Sequence, residues 1–183
     1  MACLLTGCQS AQVRPVPAAG ELSPRGSATL SVRDNACALL HQLLNEEKDI
    51  SFLHFIKREH TSIRKLMTQI GSSCGKGAKL LEQFAKDDAS INLQGTDLPP
   101  GEVAARAAIA VTKKHALLEN KGSDFELNLL LTQTEALNYG WHLAEVASKN
   151  EPQPEHARAL ADLAEELHNL YNAVCMQLLS KEW

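Results

Sequence analysis

From residue 31 onward, apolar side chains return every three or four positions. A chain whose leucines recur at i, i+3, i+4 and i+7 buries them by packing helix on helix, so this period limits the fold more than any motif does. Val32, Ala36, Leu39, Leu40, Leu43 and Leu44 set it for 31–47. Phe52, Leu53, Ile56, Ile63, Met67 and Ile70 share one face of a second helix, which Asp49 is placed to cap. Gly71, Gly75 and Gly77 interrupt, and a shorter helix carries Leu80, Leu81 and Phe84. A loop over 87–100 ends in Leu98-Pro99-Pro100-Gly101, and Pro100 suits the first turn of the next helix. Val103, Ala104, Ala107, Val111 and Leu118 line that helix to Glu119. Gly122-Ser123-Asp124 stops it and opens a helix over 124–149, with Leu130, Thr134, Leu137, Trp141 and Ala144 as its stripe. Pro152 and Pro154 turn the chain into a last helix, 154–180, which aligns Leu160, Leu163, Leu167, Leu170, Val174 and Leu178. No strand run appears. The expected fold is all-α: an antiparallel four-helix bundle with additional short helices. Aromatic residues are 4% of the chain, so its core is built from Leu, Ile, Val and Ala.

The first thirty residues differ in kind. Leu5-Thr6-Gly7-Cys8 resembles a bacterial lipobox, where cleavage precedes the cysteine and its thiol carries lipid. Residues 1–8 read as a truncated signal remnant, because a full signal peptide has a basic segment and a longer apolar run before the cleavage site. Residues 9–30 hold prolines at 15, 17 and 24 among Ala, Gly and Ser, with no period. That is linker composition, and a flexible chain of this length spans on the order of 26 Å. The domain plan is therefore a lipobox over 1–8, a tether over 9–30 and a helical domain over 31–183. Gln9 follows the cysteine in place of the Asp that marks inner-membrane retention. By that resemblance the address is the periplasmic face of the outer membrane, with the membrane reached through Cys8 and an envelope protein as a further partner. A net charge of −4 argues against a nucleic-acid binder that works through a basic surface.

The helix order, Leu98-Pro99, and Gly122-Ser123-Asp124-Phe125 at the head of the long helix resemble a bacterial exported domain-of-unknown-function family. The similarity covers about residues 45–180. It implies a ferritin-like four-helix bundle. That family often places an acidic–His pair in the long helix, where this chain has Glu135-Ala136-Leu137.

Candidate chemistry is sparse. A di-iron bundle uses a Glu from each of two helices and Glu-x-x-His from the other two, all inward. The one such spacing here, Glu165-x-x-His168, points away from the Leu160–Val174 stripe. Glu59 and His60 fall near the Ile56–Ile63 stripe instead, where a carboxylate and an imidazole are costly unless paired. Two pairings follow. Lys114, in the stripe of its own helix, is a counter-charge for a buried Glu59–Lys114 pair. Alternatively His115 and Glu119, at i and i+4, join Glu59 and His60 around iron or another transition metal. Glu135 and His142 share a second face of the long helix with Leu131 and Val146, a mixed face that suits either contact with the helix over 31–47 or a partner. Gly71 to Gly77 lacks phosphate-loop spacing, and with no C-x-x-C the buried-thiol reading of Cys37, Cys74 and Cys175 stands beside a disulfide among them. No nucleophile motif occurs. The leading expectation is a non-enzymatic, membrane-tethered interaction or stress-associated module without a cofactor; the alternative is a ferritin-like metal protein.

Overall fold

The structure, a computed structural model, describes residues 31–49 and 60–180. These form α1 (Val32–Glu47), α2 (Thr61–Asp87), α3 (Pro100–Glu119), α4 (Gly122–Asn150) and α5 (Pro154–Leu179), with no strand among the described residues. The chain is all-α, as its period requires. The helix starts obey local chemistry: Ser31 caps α1 by accepting from the Asp34 N–H at 3.1 Å, and Pro100 and Pro154 open α3 and α5. Gly122, at φ +57°, makes the sharp joint between α3 and α4, a conformation that favours glycine.

Four helices enclose one core. Leu40 and Leu44 of α1, Ile63, Ile70 and Leu81 of α2, Leu130 and Leu137 of α4, and Leu160 and Leu167 of α5 are all fully buried. Residue pairs give the directions. Arg33 meets Asp88, and Leu44 lies against Gly77, so α1 and α2 run antiparallel. Arg33 also meets Glu151, Leu43 lies at Gly140, and Glu47 meets Gln133, so α1 and α4 do too. Phe84 stacks on His156 and Ser73 bonds Glu166 across α2 and α5; the Trp141 ring meets His168 at a tilt, 4.9 Å between centroids, across α4 and α5. Every neighbouring pair is antiparallel. Asp88 follows α2 at one end of the molecule, whereas the head of α4 lies at the other, where Glu126 meets His60. The link must run the length of the core, and α3, about 30 Å long, makes that crossing.

Two expectations about helices change. The second helix does not run from Asp49: His60 has extended backbone (ψ 145°) and stands at the N-cap of α2. The part of the expected helix over 50–59 lies outside the described residues. From Thr61 onward α2 is continuous through Gly71, Gly75 and Gly77, so glycine does not divide it. Gly71 and Gly77 are buried, and a Cβ on Gly77 would stand 3.0 Å from both Leu44 and Leu163. Close approach of α1 and α5 offsets the helix-propensity cost, about 1 kcal/mol per glycine.

The larger change concerns α3. It has no buried residue. Its expected core stripe faces outward, with Val103 and Val111 at 50% and 57% exposure. The contact with α4 is made by another side: Arg106 lies 4.8 Å over the Tyr139 ring, Lys113 pairs with Glu135, and half-buried Leu117 packs on the core. At 3.6 residues per turn that side lies roughly 100° from the stripe. The second face of α4, at Glu135, thus receives α3 rather than α1.

Candidate functional site

Among the described residues, His60, Lys114, His115 and Glu119 do not form one cluster. Cys8 and Glu59 lie outside the described residues. His60 is exposed, and its backbone N–H donates to Glu126 Oε1 at 2.6 Å. A buried carboxylate at the first turn of α2 suits the positive end of that helix. Lys114 is exposed on the outer face of α3. His115 and Glu119 form a pair of their own at 3.5 Å, with side chains 67% and 74% exposed. Among the described residues no group of three His, Cys, Asp or Glu side chains is placed to hold a metal ion.

The other described histidines are engaged in ways that leave their spacing without a shared centre. His41 lies 3.4 Å from Glu82 and 2.9 Å from Asn45. His156 stacks on Phe84 at 3.9 Å between centroids. His142 and His168 flank Trp141 at 3.4 and 4.9 Å. Glu165 and His168 are exposed, as their angle on the last helix predicts. Cys37 and Cys74 are buried free thiols, each pushed up to about 12 chiefly by burial, so neither is a thiolate at neutral pH. Cys175 is free and half-buried.

Two polar clusters were not anticipated. At one end Arg33, only 8% exposed, reaches Asp34 at 2.7 Å, Asp88 at 2.8 Å and Glu151 at 3.5 Å, and donates to Ser90 Oγ at 2.6 Å. This cluster fastens the start of α1 to the ends of α2 and α4. Toward the other end Gln133, fully buried, donates to Glu47 Oε2 at 2.7 Å. Burial raises Glu47 above the usual carboxylate range, against the opposing pull of that hydrogen bond. Cys74 lies close enough for the Glu47 and Glu166 charges to raise its thiol further.

Two concavities lie on the surface of the described residues. One, of about 760 Å³, is a wide polar groove between α2 and α5 whose edges include Gln69, Ser72, Lys76, Asp162 and Asn169. In its wall Ser73 Oγ donates to Glu166 Oε1 at 2.5 Å, so that hydroxyl is bound to a carboxylate and has no histidine base. The other, about 270 Å³, lies between α4 and α5 beside Trp141, Lys149 and His168. Neither brings a nucleophile, a base and an oxyanion site to one point. The feature least explained by stability is α3, which spends twenty residues and buries none of them. Comparison with protein families, with characterised proteins and with solved structures finds no match for this chain.

Proposed function

We propose that this chain is a membrane-tethered helical protein of the bacterial envelope that acts by binding through its surface rather than by catalysis. The observation that carries this reading is α3. A helix retained only to link α2 with α4 gains by burying its apolar stripe, yet Val103 and Val111 face outward. The address rests on Leu5-Thr6-Gly7-Cys8 and the Pro/Ala-rich stretch behind it, and Gln9 favours the periplasmic face of the outer membrane. No helix among the described residues is long and apolar enough to cross a membrane, so attachment in this reading falls to Cys8. We also read α1, α2, α4 and α5 as a ferritin-like bundle. Antiparallel neighbours joined by one long crossover support that connectivity. The inward carboxylates and histidines of a di-metal centre do not accompany it among the described residues. Expression from the native upstream region, followed by mass spectrometry of the membrane fraction, tests the address. Acyl groups on Cys8, and release of the Cys8→Ser variant into the soluble fraction, are expected. An unmodified Cys8 in a soluble protein would overturn the tether.

A further inference from the structure

We propose that the outward face of α3 rests on an anionic lipid surface, an inference that takes its address from the tethered reading but its chemistry from α3 alone. The face centres on Val103, Ala107 and Val111, all exposed, along a helix about 30 Å long. Charge is sorted around it. Lys114 stands within the apolar sector and is exposed; exposed Lys121 follows just past the helix end. The acids stand elsewhere: Glu102 is turned to Arg106 at 2.8 Å, and Glu119 is paired with His115 at 3.5 Å. In water a lysine inside an exposed apolar stripe covers part of that stripe with its stem and keeps its ammonium hydrated. At a bilayer interface its methylene stem lies along the acyl boundary and its ammonium reaches the phosphates.

The position of α3 agrees with this. The Asp97 N–H donates to Asn35 Oδ1 at 3.0 Å, so the head of α3, three residues later, lies beside the head of α1. The thirty residues before Ser31 therefore join the domain where α3 begins. The linker composition of 9–30 corresponds to a span on the order of 26 Å, comparable with the length of α3. A second copy of the chain fits less well. Two such faces, about 30 Å long and about 10 Å wide, together bury about 600 Å²; a stable interface needs roughly 1,200 Å² or more. Valine and alanine insert shallowly, so α3 supplies weak, orienting adhesion, and a lipid anchor supplies retention.

The test uses the full chain without acylation, floated with vesicles of phosphatidylcholine containing phosphatidylglycerol and with vesicles of phosphatidylcholine alone. The wild type is expected to float with the anionic vesicles and to fall off as salt rises. Val103→Asn with Val111→Asn should cut the bound fraction on the order of tenfold. Lys114→Glu should do the same on anionic vesicles only, on the order of tenfold for two units of charge. All three positions are exposed, so an unchanged circular dichroism spectrum separates lost binding from lost fold. A wild type that ignores both vesicles, or variants that bind as it does, overturns the proposal. So does a concentration-dependent dimer that the valine variants dissolve, since α3 would then be a self-contact. Acylation of Cys8 is read separately: lipid binding without acylation sinks the tether alone, and acylation without lipid binding sinks this inference alone.

Discussion

At the scale of single residues, Arg33 and Lys114 make an instructive pair. Each is a cation inside an apolar stripe: Arg33 precedes Ala36 by three and Leu40 by seven, and Lys114 follows Val111 by three. One is buried among carboxylates and the other is exposed. The difference is not local, because it depends on whether the stripe meets the core. Arg33 finds Asp88 and Glu151 at separations of 55 and 118 residues, which no spacing rule reports. Its planar fork of five donors lets one cation serve several acids. Asp88 shows the result. Hydrogen bonds from the Ser90 hydroxyl and backbone N–H, with the Arg33 guanidinium, hold its carboxyl down at about 2. That lies below the unfolded value of about 3.9. The ionised form is thus favoured by folding; its contribution is fully present above about pH 4 and is lost as pH falls toward 2. Asp88→Asn should be less stable than wild type at neutral pH and should lose less between pH 4 and 2. Urea midpoints across that range measure it, and an unchanged acid slope in the variant would remove Asp88 from the account.

At the scale of helices, the period located α1, α4 and α5 to within a residue or two, because a leucine stripe on a buried helix has one physical solution. It misplaced breaks wherever packing overrode propensity. Gly71, Gly75 and Gly77 look like punctuation in one dimension, yet α2 runs through all three; Gly77 sits where neighbouring helices press closest and Gly75 where there is room. The two cases separate by substitution. A Cβ on Gly75 would meet only the Lys48 Cβ at 3.8 Å, an ordinary contact, so Gly75→Ala should stabilise the chain by up to about 1 kcal/mol. At Gly77 the same methyl meets leucine tips from α1 and α5 at 3.0 Å. Overpacking there costs roughly 1–3 kcal/mol, more than the helix gain, so Gly77→Ala should destabilise by about 1 kcal/mol. Chemical denaturation of the pair reads the sign, and shifts in the same direction would show that α1 and α5 yield freely. The α3 stripe failed for a related reason. An alanine-rich helix has apolar residues on most sides, so its period does not say which side docks. The side that does dock uses an arginine, a lysine and one leucine, which a hydrophobic pattern passes over.

At the scale of the molecule, the candidate site was the least legible part of the sequence. Grouping Glu59, His60, Lys114, His115 and Glu119 requires that the helix of His60 and the helix of Lys114 both turn their stripes to a common core. With His60 at a helix cap and α3 outside the four-helix core, the described members of that set come together only as the His115–Glu119 pair. The same arrangement divides the chain into parts of unequal stability. Opening α1, α2, α4 or α5 exposes the shared core, so their innermost amides exchange only on global unfolding. Opening α3 exposes no buried residue of its own and breaks mainly its contacts to Tyr139, Glu135 and the core edge at Leu117. Local opening free energy follows buried contact, so α3 is the weakest element among the described helices. Hydrogen exchange followed by mass spectrometry should show peptides from 103–117 exchanging roughly tenfold or more faster than peptides around Leu137 and Leu163. Equal protection would mean that the docked side of α3 alone ties it into the cooperative core. Fast exchange would leave that face open, as a surface that binds lipid must be before it finds one.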